Sequence, residues 1–179
     1  MIILKKILII IFYLLLISLI VLVQVSLINN LPAWFKDLNL ILILLIFTLF
    51  FYDFRSAAVV ALLAGLWLEV FSFNFFGLYL LALFFTLSLS DWALRSRLTN
   101  RSLYSFLILI LLATVIYNFS IALMSYWWSN PSGVLFLEQK HFWLVLIKQS
   151  IWSELAAVFL FGLATSLTHR FQPFFLEKK

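Results

Sequence analysis

Six apolar runs, separated by short breaks that hold most of the charge, constrain this 179-residue chain more than any motif does. By the apolar pattern and its breaks, the runs cover roughly 7–28, 38–52, 56–71, 77–92, 103–128 and 142–168. The breaks are rich in turn residues and charge. Asn29-Asn30-Leu31-Pro32, Asp53 with Arg55, and Ser129-Asn130-Pro131-Ser132-Gly133 are examples. Hydrophobic residues make up 66% of the chain and charged residues only 11%. A soluble domain needs about a quarter of its residues charged to clothe its surface. This chain, with mean hydropathy +1.17, has lipid as its expected solvent. The expected fold is all-α: a single domain, 1–179, built as a polytopic bundle of about six transmembrane helices.

Charge placement gives an orientation. With the amino terminus in the cytoplasm, the inner connections hold Lys5, Lys6, Arg55, Arg95, Arg97, Arg101, Arg170, Lys178 and Lys179. The outer ones hold only Lys36 and Lys140. That is the positive-inside pattern, and it predicts an even number of crossings with both termini cytoplasmic. Met1-Ile2-Ile3-Leu4-Lys5-Lys6 and the run after it resemble a secretory signal, but the run is long enough to span and no small-residue cleavage site follows, so a retained helix is expected. The net charge of +5 is scattered over connections rather than gathered on one face, which argues against nucleic acid. The Arg95, Arg97 and Arg101 cluster reads as an orientation signal touching anionic lipid, or as a contact for a cytoplasmic partner.

The second, third and fourth runs are short. Fifteen helical residues cover only about 22 Å of a hydrocarbon core roughly 30 Å thick. Such helices start or finish below the surface, where irregular backbone must be covered by protein.

Ionisable groups inside the membrane are costly and mark candidate sites. Glu69, Lys148 and Glu154 are the three. Counting from Arg55 and from His141, Glu69 and Lys148 both fall roughly 10 Å below the outer boundary. Either they face one another as a pair, or Lys148 snorkels to the headgroups while Glu69 meets loop water. Glu154 lies mid-segment and is expected to point into the bundle, with a partner such as Ser150 or a residue of another helix. Ala57, Ala61 and Gly65, spaced by four, make a small-residue stripe suited to close helix packing, inside the bundle or against a partner helix. Ala156, Ala157 and Gly162 suggest a second such face. Trp34, Phe35, Trp127, Trp128, Phe142 and Trp143 at outer ends, and Trp92 at an inner end, form an interfacial belt.

No catalytic constellation is visible. There is no Cys, and the two histidines, His141 and His169, fall on opposite sides of the membrane. No metalloprotease, phosphate-loop or nucleophile-elbow motif occurs. No enzyme, metal or cofactor is expected. An intramembrane enzyme would have only the isolated Glu69 and Glu154 to work with. The scarcity of intramembrane charge argues against a channel or pump.

The stretch Ala64-Gly65-Leu66-Trp67-Leu68-Glu69, followed by a short connection and then Gly77-Leu78, resembles the middle of MreD, the rod shape-determining membrane protein. That family reads G-L-x-x-D and then G-[LI], so Gly65, Leu66, Glu69, Gly77 and Leu78 take the matching places. Glu69 stands where Asp is usual. Length, helix number and the basic loop after the fourth helix agree with the resemblance. It implies a non-catalytic scaffold of the bacterial elongation complex in the cytoplasmic membrane. The implied partners are an MreC-like bitopic protein, the RodA and penicillin-binding-protein synthases, and the MreB filament. The implied fold is similar to the substrate-binding S components of energy-coupling-factor vitamin transporters, which supplies the rival function. S components commonly carry an A-x-x-x-A surface on the first helix; the first run here has no Ala. Glu69, Asn74, Tyr79 and Lys148 are the few polar groups that a vitamin site could draw on.

Overall fold

The computed structural model describes residues 14–27, 37–72, 75–98 and 102–129, together with the helix 140–167. Six helices lie among them, and no strand. We label them α1 (14–27), α2 (Leu40–Phe51), α3 (Phe54–Phe71), α4 (Leu78–Ser96), α5 (Leu103–Ser129) and α6 (Lys140–Leu167). Four helices, α3 to α6, are long and apolar enough to cross a membrane. The expected start of the first run, near 7, lies outside the described residues; the other boundaries follow the apolar pattern to within a few residues. The exception is α4, which runs one turn past its expected end at 92. Asp91 and Arg95, four residues apart and joined at 2.9 Å, support that extra turn.

The helix nearest the centre is the shortest. With only 12 residues, α2 covers roughly 18 Å, too little to cross alone. It is apolar on every side, Leu-Ile-Leu-Ile-Leu-Leu-Ile-Phe, and a helix apolar all round belongs inside. Ile41, Leu42, Ile43, Leu45, Ile46, Leu49 and Phe50 are accordingly buried, and α2 touches α3, α4, α5 and α6. The outer helices turn Leu, Val, Phe and Trp outward instead; Leu62, Val70, Phe85 and Leu155 are all exposed. An exposed surface so broadly apolar is suited to hydrocarbon, not water.

Short connections make neighbouring helices antiparallel. The α2–α3 turn at Tyr52-Asp53 marks one end of the bundle, and the α3–α4 corner at Gly77 marks the other. Near the Tyr52 end, Phe47, Phe50 and Phe51 of α2 meet Phe106 of α5, and Phe161 of α6 closes on Phe51 and Phe106 at 5.9 and 5.7 Å between ring centres. These offset and edge contacts fill the bundle with rigid rings.

The small-residue stripe of α3 packs inside. Ala57 and Ala61 are buried, and so is Gly65. A methyl group on Gly65 would sit 2.8 Å from the Cα of Leu80, so the absent side chain is what lets α3 and α4 close on one another. On α6, Ala157 is buried, but a methyl on Gly162 would meet nothing within 4 Å. Gly162 therefore does not serve close packing here, contrary to the sequence expectation.

Gly65→Val should lower the midpoint of thermal unfolding in detergent, by the equivalent of about 1–3 kcal/mol, because backbone rather than a flexible side chain blocks the added atoms. Gly162→Ala should stay within about 0.5 kcal/mol of the parent.

Candidate functional site

The polar side chains gather at the starts of α2 and α4, where the chain needs them. The first amides of a helix have no partner within it. In water they are hydrated; below a membrane surface they are orphaned. At the start of α2, Gln24 Oε1 accepts from the Leu40 amide at 2.9 Å, and Asn39 Oδ1 accepts from the Leu42 amide at 3.1 Å. Gln24 also donates through Nε2 to the Leu38 carbonyl at 2.8 Å, so one buried amide side chain binds α1 to the entry of α2. The last turn of α1, Val23–Leu27, widens into a π-helical turn around Gln24.

The α3–α4 corner uses a carboxylate for the same purpose. Glu69 is buried, and its Oε1 accepts from the Leu80 amide at 3.0 Å, in the first turn of α4. A carboxylate there also meets the positive end of the helix dipole. Gly77, at φ 103°, takes the left-handed conformation just before α4 begins. Gly65 brings the two backbones close enough for Glu69 to reach. Gly65, Glu69 and Gly77 thus build one helix–helix corner, with buried Leu78 behind it, while Leu66 is exposed. Glu69 Oε2 and Ser72 Oγ, both at this corner, are buried without a hydrogen-bond partner among the described residues.

Lys148 does not join Glu69. It is exposed on α6, and the only ion pair among the described residues is Asp91–Arg95. Of the two alternatives, the Glu69–Lys148 pair is not formed among the described residues, and Glu69 contacts backbone instead. Depth counting could not see that an unpaired amide would be the nearer partner of Glu69. Glu154 is half-buried; it makes no hydrogen bond among the described residues, and its Oε1 is buried and unpartnered. The suggested partner Ser150 donates instead to the Leu146 carbonyl at 2.8 Å. Arg95 is held by Asp91, Arg97 is exposed at the end of α4, and Arg101 lies outside the described residues. Asn74, Trp34 and Phe35 also lie outside them. Trp92, Trp127 and Trp143 are exposed near helix ends, as a headgroup belt requires.

Sequence reading passed over a second polar contact. Asn118 of α5 donates through Nδ2 to Gln149 Oε1 of α6 at 2.7 Å, and to the Thr114 carbonyl at 2.8 Å. Gln149 is buried, and nearby Tyr117 lies buried beside Asn39 and Tyr79. Uncharged amides inside apolar runs were the available signal, because lipid offers them no partner. A groove of about 360 Å³ opens between α1, α2 and α3, lined by Ile17, Leu44, Thr48, Tyr52, Val60 and neighbours. It is almost wholly apolar, and the Thr48 hydroxyl is already held by the Leu44 and Leu45 carbonyls. Among the described residues no cluster of acids and histidines could hold a metal ion.

These features define a class: an apolar all-helical bundle whose polar groups serve helix ends and helix contacts. Comparison with family models, curated proteins and solved structures gives no match to this chain.

Glu69→Leu should destabilise the protein by about 1–3 kcal/mol in detergent unfolding, since it strands the Leu80 amide. Glu69→Gln keeps an acceptor and should cost clearly less. Combining Glu69→Lys with Lys148→Glu should bring no recovery, the two effects adding within about 0.5 kcal/mol. A double-mutant cycle on Asn118 and Gln149 should give a coupling of about 0.6–2 kcal/mol.

Proposed function

We propose that this protein is a non-catalytic scaffold of the bacterial cell-shape and elongation complex, set in the cytoplasmic membrane with both termini inside. Its partner in this reading is an MreC-like bitopic protein, with the RodA and penicillin-binding-protein synthases and the MreB filament beyond it. One observation carries the reading. Gly65, Glu69, Gly77 and Leu78, four of the five positions behind the resemblance to MreD, meet at a single corner of the fold. Each has a physical task there: close approach, amide capping, a left-handed turn, and packing behind it.

The rival reading, a vitamin-binding S component, needs several polar groups converging on a ligand. The candidates are committed elsewhere. Glu69 holds an amide, Lys148 faces outward, and Tyr79 lies beside buried Tyr117. The groove between α1, α2 and α3 is too apolar to orient a polar vitamin. A scaffold needs the opposite economy, with polar groups spent internally and the outer faces left for lipid and protein.

Isolation of the full chain from its native membrane in mild detergent should bring down an MreC-like protein in near-stoichiometric amount. Depletion in the cell should turn rods into spheres. Stoichiometric vitamin in the purified protein, with no MreC-like chain, would overturn the reading. Reporter tags on Met1 and Lys179 should both face the cytoplasm.

A further inference from the structure

The groove between α1, α2 and α3 is polar at one end only. Its lining runs from Tyr52 and Ser56, beside the α2–α3 turn, past Thr48 to Leu44 and Leu63. Tyr52 and Ser56 are exposed, whereas the Thr48 hydroxyl is held by its own helix. Eight residues of α2 separate Leu44 from Tyr52, a rise of roughly 12 Å. One leaflet of a hydrocarbon core roughly 30 Å thick is about 15 Å deep. The groove therefore has nearly the length of one leaflet, with hydroxyls at its headgroup end and leucines at its deep end. It opens sideways, past Leu14 and Val59, which are 40% and 53% exposed.

Charge marks the hydroxyl end. Arg55 lies one turn before Val59 on the same row of α3, is exposed, and has no ion pair among the described residues. Asp53 is exposed at the same turn and makes no hydrogen bond to the first amides of α3. That end offers a cation and an anion above an apolar slot.

We propose that the groove is a binding site for one acyl chain of a membrane glycerophospholipid, with the lipid's phosphate at Arg55. Size and polarity select this occupant. A 12 Å length of helix about 10 Å across fills on the order of 1,000 Å³. The groove holds about 360 Å³, so it seats a chain and not a helix, whether of this protein, a second copy or another. An extended peptide is narrow enough, but it brings backbone amides and carbonyls that an apolar slot leaves unpaired. That weighs against the undescribed tail after Leu167. Residues 1–13 have no Gly, Pro, Asn, Asp or Ser with which to double back beside Leu14, and residues 28–36 and 130–139 join helices at the opposite end of the bundle. An acyl chain asks for no hydrogen bond, and its phosphate answers the guanidinium. The site stands apart from the cell-shape reading.

The test uses the full-length chain in mild detergent, titrated with phosphatidylethanolamine that carries a photoreactive diazirine midway along one acyl chain. Labelled residues are mapped by mass spectrometry. Label should reach Leu44 and Val60 at least as strongly as Phe159, although Val60 is 7% exposed and Phe159, on α6, is 67% exposed. Groove labelling should saturate at one lipid per chain. A diacylglycerol probe with the same chains and no phosphate should label the groove roughly threefold to tenfold less, and Arg55→Gln should cut phospholipid labelling by a similar factor. Leu63→Trp, which fills the deep end, should remove label from Leu44 and leave it at Phe159. Arg55 is exposed, so Arg55→Gln tests the site even if Leu63→Trp unfolds the bundle. A variant ending at Leu167 should bind as the full chain does. Labelling that follows exposure alone, equal labelling by the diacylglycerol probe, no loss in Arg55→Gln, or groove labelling that arises only once the tail is removed would each overturn the proposal.

Discussion

The fold depends on satisfying the first amides of helices that begin inside an apolar bundle. An exposed helix leaves those groups to water, but hydrocarbon gives them nothing. Here Gln24 and Asn39 close the start of α2, and Glu69 closes the start of α4. Because its entry is closed by side chains, α2 is free to be short, apolar all round and central. Around it the longer helices turn apolar faces outward. The same need explains why α3 and α4 approach so closely at Gly65: the Glu69 side chain is short, and its acceptor must reach the Leu80 amide.

The polar inventory of the bundle is small, and much of it is committed to architecture. Asn118 and Gln149 join α5 to α6, Asp91 and Arg95 extend α4, and Thr48 and Thr114 fold back on their own carbonyls. Function in such a chain falls to its surface. α6 is the least covered of the four long helices, and Glu154, like Ser90 and Ser153, keeps a buried oxygen without a hydrogen-bond partner among the described residues.

Much of the architecture was legible in the sequence, because apolar runs and their breaks report a lipid environment directly. Helix limits followed within a few residues, and the four-residue spacing of Ala57, Ala61 and Gly65 marked a packed face. Leu66 at the motif gave no such signal and proved to be exposed. The partner of Glu69 was not legible. Charge and depth left a pair with Lys148 open beside a snorkelling Lys148, but the partner of Glu69 is a main-chain amide, and main-chain amides carry no mark in sequence. The Asn118–Gln149 contact was hidden differently: the two residues lie 31 apart, and each alone reads as an ordinary interruption of an apolar run. Gly162 misled because spacing alone cannot tell a glycine that admits a neighbour from one that faces outward.

The order of the capping residues along the chain bears on how the protein is made. Gln24 precedes the Leu40 amide it serves, and Glu69 precedes that of Leu80. As the ribosome feeds segments into the bilayer from the amino end, each acceptor is already inserted when its amide emerges. The short central helix need not wait for later segments before its entry is sealed. Assembly by stepwise addition, each hairpin completing the one before, is thus written into the direction of synthesis.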